Sequence, residues 1–142
     1  MAILSFAQFD SLGNVNVSVL GDDYFGCGGY IDICHRVKKI LFVGAFKAKG
    51  LELSIDNDEL SINNEGEIIK AVNAVDEITF SPKLQREYGH QILIITERCV
   101  FEIKNGQVIL IEIAPGIDFK KDILNQMEFE PEIHKDFQIH ST

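Results

Sequence analysis

The chain has 142 residues, 46% hydrophobic and 25% charged, with only three prolines, the make-up of one compact unit. Thirteen basic residues against 22 acidic ones leave a net charge of -9, which argues against a nucleic-acid or anionic-membrane surface, since both need clustered positive charge. No apolar run approaches the roughly 18 to 20 residues of a spanning helix and the first residues lack a leader's basic and apolar regions, so a soluble, cytoplasmic protein is expected.

Residues 3–9 and 15–19 read as two strands joined by Asp10-Ser11-Leu12-Gly13-Asn14, which has the length and turn residues of a hairpin. Next comes Gly21-Asp22-Asp23-Tyr24-Phe25-Gly26-Cys27-Gly28-Gly29-Tyr30, running into a short helical pattern over residues 31–36. Without a Cβ at Gly26, Gly28 and Gly29, a ligand can approach the main chain and backbone N–H groups can converge on an anion. Many glycine clusters are only turns, so the neighbours of this one decide its meaning.

Residues 39–46 form a continuous apolar run, the pattern of a strand covered on both faces in a mostly parallel sheet. Residues 51–55 and 60–62 alternate around Asp56-Asn57-Asp58-Glu59 and predict an exposed hairpin. Those acids lack the glycine and terminal glutamate of a calcium loop, so solvation is their expected role. Residues 92–95, 100–103 and 108–113 form a further apolar strand group, with Lys104-Asn105-Gly106-Gln107 supplying a turn. Asp118 is placed to cap a short helix over residues 119–127 in which Phe119, Ile123 and Met127 share a face. Lys120 and Lys121 oppose the dipole of that helix, so packing must hold it. Residues 1–131 are expected to form the domain and residues 132–142 an extended arm or frayed tail.

The three cysteines, Cys27, Cys34 and Cys99, have no CxxC spacing and suggest reduced thiols rather than a disulfide or zinc framework. Cys99 lies in an apolar strand pattern and reads as packing. Cys27 stands among glycines, where a small neutral residue fits better than a nucleophile lacking a paired histidine. His35, His90, His134 and His140 are scattered and define no metal site.

Several motifs then arrive in a telling order. They are Ala7-Gln8-Phe9-Asp10, Gly13-Asn14-Val15-Asn16-Val17-Ser18, Gly26-Cys27-Gly28-Gly29-Tyr30-Ile31-Asp32-Ile33 and Lys38-Lys39-Ile40-Leu41-Phe42-Val43-Gly44. Further on stand Thr96-Glu97-Arg98-Cys99-Val100-Phe101, Glu112-Ile113-Ala114-Pro115-Gly116-Ile117-Asp118, Lys121-Asp122-Ile123-Leu124 and Met127-Glu128-Phe129-Glu130-Pro131. Over nearly its whole length the chain resembles the closing part of family I CoA-transferases, the acetate or propionate type above all.

The resemblance implies an α/β fold, the C-terminal part of a NagB/RpiA/CoA-transferase-like domain, strand-rich with few short helices. It implies an enzyme that moves coenzyme A from a short-chain acyl-CoA to a carboxylic acid such as acetate. Coenzyme A is then a substrate, and no tightly bound cofactor is expected. In the family a glutamate attacks the thioester and becomes a glutamyl-CoA thioester, which is covalent catalysis by a carboxylate. That glutamate stands upstream of the hairpin with which this sequence opens, and no matching segment is present here. Glu97, Asp10, Asp32 and Glu112 have plainer roles as an ion-pair or strand-end acid, a turn acid, a helix-terminus acid and a strand acid. The glycine loop carries over as the wall facing the thioester, with the Gly28 backbone N–H as oxyanion donor and Gly26, Cys27 and Gly29 shaping the approach. Expected partners are the missing N-terminal half or another subunit, and further copies of the chain, because a truncated sheet exposes edges and apolar faces. The alternative expectation is a catalytically inactive remnant that binds CoA or another protein.

Overall fold

The computed structural model describes residues 2–16, 38–76 and 91–139. Three short strands open it, β1 (Ala2–Leu4), β2 (Gln8–Asp10) and β3 (Val15–Asn16). The middle stretch carries β4 (Lys39–Val43), β5 (Lys47–Ala48), β6 (Glu52–Asp56), β7 (Glu59–Asn64), β8 (Ile68–Ile69) and β9 (Ala71–Val72). The last holds β10 (Gln91–Ile95), β11 (Cys99–Lys104), β12 (Gln107–Ile113) and β13 (Glu132–Ile139).

Among the described residues six strands make the main sheet, in the order β1-β4-β10-β11-β12-β13. β1, β4 and β10 run parallel, β11 is antiparallel to both its neighbours, and β13 returns parallel to β12. Strand alternation puts every second side chain on one face. Register then aligns them in rows: Ile40, Ile92 and Ile103 in one, Phe42, Ile94, Phe101 and Leu110 in the next, all fully buried. Against these rows pack Phe6, Phe9 and Phe46, with Phe9 meeting Phe6, Phe101 and Phe129 at ring centroid distances of 5.8, 5.5 and 5.9 Å. Edge-to-face and tilted pairs of this kind add to the burial of each ring.

The apolar run at residues 39–46 has the expected parallel neighbours on both sides, β1 and β10. Its cover is uneven, however: Ile40 and Phe42 are buried, Leu41 is half-buried and Val43 is exposed. The expected strand over residues 3–9 divides. Ala2–Leu4 joins the main sheet, the chain breaks at Ser5 to bury Phe6, and Gln8–Asp10 pairs with β3 in the hairpin and with β9 on its other side. The Asp10 carboxylate closes the hairpin turn by accepting from the backbone N–H of Leu12 and of Asn14 at 3.1 and 3.0 Å.

The hairpin β6–β7 turns through Asn57 and Asp58, whose φ values of 53° and 63° are the left-handed pair of a type I′ turn. Asn105 and Gly106 do the same between β11 and β12, at 54° and 72°. Asp118 caps the expected helix, accepting from Lys121 N–H at 2.8 Å. That segment is a wide π-type turn, Phe119–Ile123, followed by a tight turn of 3-10 type, Leu124–Gln126, and packing of Phe119, Ile123 and Met127 holds it. The arm after Pro131 is extended and joins the main sheet as β13, the parallel neighbour of β12.

Candidate functional site

In a sheet of parallel strands, sites gather beyond the carboxyl ends, where successive loops converge. Here β1 ends at Leu4 before Phe6, β4 at Val43 before Gly44 and Phe46, and β10 at Ile95 before Thr96, Glu97 and Arg98. The turn from β10 to β11 is fixed by Thr96. Its hydroxyl donates to the Cys99 carbonyl at 2.9 Å and accepts from the N–H groups of Arg98 and Cys99 at 3.3 and 3.0 Å.

That turn aims Arg98 inward, where its side chain is fully buried. The guanidinium donates to both oxygens of Glu65 at 2.9 and 3.0 Å, to Glu97 Oε2 at 3.1 Å and to the Asp122 carbonyl at 2.9 Å. It also lies over the Phe46 ring, 4.7 Å from the centroid. One cation thereby joins the β7–β8 link, the β10–β11 turn and the segment after Asp118. Burial works against both charges, yet the bidentate contact outweighs it, holding the Glu65 carboxyl below its ordinary value and raising the Arg98 pKa. Glu97 spends its other oxygen on the Phe46 N–H at 2.6 Å. Fully engaged in this way, Glu97 is an ion-pair and strand-end acid, as its sequence context suggests.

Two further groups complete the region. Lys47 donates from Nζ to Gln126 Oε1 at 2.7 Å. Lys70, between β8 and β9, is 7% exposed, and its Nζ sits 4.0 Å from the centroid of the Phe6 ring. Burial lowers the Lys70 pKa, and the charge of Glu97 opposes that shift without cancelling it. Cys99 is buried, its thiol pushed up to about 12 mainly by desolvation, so it is inert packing at neutral pH. Alongside, Thr96, Glu97, Val100, Glu112, Ala114 and Pro115 border a shallow open groove.

Gly26, Cys27, Gly28 and Gly29, together with Asp32, Cys34, His35, His90 and His140, lie outside the described residues. Asp10 is the turn acid already described, Glu112 stands on β12, and His134 is exposed on β13. Among the described residues no three His, Cys, Asp or Glu side chains are grouped to hold a metal, and no helix is long and apolar enough to cross a membrane. Glu65 and Lys70 were not singled out from the sequence. Lys70 carries a usable signal: it is one cation inside the apolar run Ile68-Ile69-Lys70-Ala71-Val72, the mark of a charge carried into a core.

No protein-family model matches the chain. Caffeate CoA-transferase of Acetobacterium woodii is 46% identical over 143 residues, covering 97% of this chain and 27% of the relative. Acetate CoA-transferase YdiF of Escherichia coli K12 is 43% identical over 136 residues, covering 96% and 26%. The crystal structure of the YdiF apoenzyme from E. coli O157:H7 superposes with a TM-score of 0.89 at 42% identity, over 98% of this chain and 27% of that one. The decarboxylase AibA/AibB, with a TM-score of 0.64 at 14% identity over 98% and 50%, shares the fold alone. The chain spans about a quarter of the length of the curated relatives it matches. Motif order, the α/β sheet and these similarities together make the chain a member of the family I CoA-transferases, corresponding to one part of such an enzyme.

Proposed function

We propose that this chain is a portion of a cytoplasmic enzyme that moves coenzyme A between a short-chain acyl-CoA and a carboxylic acid such as acetate. The observation that carries the reading is identity of 43% to 46% with acetate and caffeate CoA-transferases across nearly the whole chain. The reaction runs through a glutamyl-CoA thioester on a glutamate supplied by another segment. Two features favour an external nucleophile: Glu97 and Glu65 are both committed to Arg98, and Asp10 is committed to its own turn. Coenzyme A enters and leaves as substrate. A similar solved structure is a thioester complex of YdiF with CoA.

In this reading Gly28 donates its backbone N–H to the oxyanion formed at the thioester carbonyl, and Gly26, Cys27 and Gly29 shape the approach. Loss of one such donor costs on the order of 100-fold in turnover. Exchange of labelled acetate into acetyl-CoA tests the whole assignment, measured on this chain alone and with the complementary segment of the enzyme added. Exchange only with both supports a divided enzyme, exchange by the chain alone overturns the external glutamate, and exchange by neither turns the reading to a CoA-binding or protein-binding remnant. Within the active assembly, Gly28→Pro, which removes that N–H, at wild-type turnover would remove Gly28 from its role.

The chain is also proposed to self-associate. β1 pairs with β4 on one side and with no strand on the other among the described residues, and Ile3 on it is 62% exposed. An apolar open edge of this kind recruits a partner. Sedimentation should show a dimer or larger species, and a clean monomer at high concentration refutes it.

A further inference from the structure

Among the described residues the ribbon β6–β7 forms a two-stranded sheet of its own, and two strands alone bury too little to be stable in water. Cross-strand pairing sets Leu53 against Ile62 and Ile55 against Leu60. Residues two apart on a strand share a face. All four apolar side chains of the two strands therefore stand on one side, and Ser54, Asp56, Glu59 and Ser61 stand on the other.

The apolar side is only partly covered: Ile55 is 77% exposed and Leu53 38%, while Leu60 and Ile62 are half-buried. The ribbon is nevertheless held in place, because Leu60 N–H donates to the Pro115 carbonyl at 2.9 Å. Gly116 keeps that contact close, since a Cβ there would lie 2.7 Å from the Leu60 carbonyl oxygen. A ribbon fixed through its backbone and open on its apolar side is a preformed docking surface.

Its charge indicates what covers it. Residues 51–64 contain Glu52, Asp56, Asp58 and Glu59 and no lysine, arginine or histidine. Asp56 and Glu59 stand directly opposite each other, and like charges so placed cost stability until a cation approaches. Two copies stacked through this side would bring their acidic borders together in chains that each carry -9, which disfavours a second copy. The enzyme itself offers the other occupant. The match takes in 27% and 26% of the curated relatives, so most of such an enzyme lies outside it.

We propose that Leu53, Ile55, Leu60 and Ile62 dock the remaining portion of the CoA-transferase through an apolar surface bordered by lysine or arginine. The identity of the partner rests on the CoA-transferase reading; the exposed apolar side does not.

Cysteines on the two sides of the ribbon report which one is covered. Ile55→Cys and Ser54→Cys are each made in the 142-residue chain and in a hybrid where this chain replaces the matching segment of caffeate CoA-transferase of Acetobacterium woodii. Maleimide labelling is read by mass spectrometry at the ribbon peptide, which separates it from Cys27, Cys34 and Cys99. Both variants should label quickly in the chain alone at low concentration. In the hybrid the labelling of Ile55→Cys should slow by at least about tenfold and that of Ser54→Cys should not. Adding Asp56→Lys to the hybrid should restore part of the labelling at position 55. Equal labelling of Ile55→Cys in chain and hybrid overturns the docking surface, and equal slowing of Ser54→Cys overturns its assignment to the apolar side. Protection that grows with concentration in the chain alone makes the occupant a second copy and overturns the choice of partner. No effect of Asp56→Lys overturns the basic border. Both labelled positions are exposed, so neither change threatens folding. Should the hybrid itself fail to fold, the corresponding hybrid with YdiF of Escherichia coli K12 decides. Acyl exchange by the hybrid is a separate readout: protection without exchange would sink the enzymatic reading and keep the docking surface, and exchange without protection would do the reverse.

Discussion

Glu65 and Glu67, two positions apart on one link between β7 and β8, each face a cation, and the two pairs have little in common. Glu65 meets the fully buried Arg98 at 2.9 Å, while Glu67 meets Lys49 at 3.5 Å with both side chains about 70% exposed, at 68% and 71%. The same residue type, on the same short stretch, is in one case a structural joint and in the other a solvated charge. What separates them is the depth of the partner. A buried guanidinium has no water to replace its carboxylate, whereas an exposed ammonium loses little on separation.

The most damaging way to break this contrast is Arg98→Met. It leaves Glu65 and Glu97 without their shared cation and the Asp122 carbonyl without its donor. The cost should be about 3 to 5 kcal/mol, the range for removing one partner of a buried ion pair. A denaturant midpoint that moves by less than a third of that would mean that the three elements are held together by apolar packing alone.

Between the two glutamates, Gly66 tests steric closeness rather than charge. A Cβ there would lie 2.8 Å from Lys47 Cβ and 2.9 Å from the Ala48 carbonyl, where β5 and β8 pair. Neither neighbour is the free end of a flexible side chain. Gly66→Ala should therefore cost about 1 to 3 kcal/mol through displaced backbone, and melting at the wild-type temperature would contradict the close approach.

Glu65→Gln sharpens the comparison through pH. The contact with Arg98 outweighs burial and lowers the Glu65 pKa below its ordinary 4.5. Between the folded value and 4.5 the unfolded chain binds more protons, so stability rises with pH across that window. Its contribution is complete above 4.5 and is lost as pH falls through the folded value. The variant should flatten this acid limb in denaturant titrations at successive pH values; an unchanged slope would show that other carboxylates govern it.

Much of the frame is legible in the sequence. Period-two alternation and turn residues place the hairpins at Asn57-Asp58 and Asn105-Gly106, and the unbroken apolar run over residues 39–46 implies parallel neighbours. Those signals are local. The polar joint was readable only in part: Glu97 beside Arg98 suggested an ion pair, but Glu65 is 33 residues from Arg98 in sequence, and no local pattern marks it over Glu67. The pairing of β13 with β12 was hidden for a related reason. Residues 132–139 are mixed and charged, and the strand is recruited by the open edge of β12 rather than by its own pattern. Lys70 shows in the sequence as a cation inside an apolar run, but its contact with Phe6, 64 residues away, has no local mark.

The smallest expected effect completes the set. Glu67→Gln removes the charge from the exposed pair with Lys49, but leaves the backbone contact in which Glu67 N–H donates to the Lys49 carbonyl at 2.9 Å. Water and salt already screen this pair, so the loss should be under about 1 kcal/mol and should shrink further as salt is added. A double-mutant cycle with Lys49→Ala isolates the coupling from the other effects of each change. If it matched the coupling measured in the same way for Arg98 and Glu65, burial would not be what distinguishes the two pairs; the backbone link common to both would have to carry their energy instead.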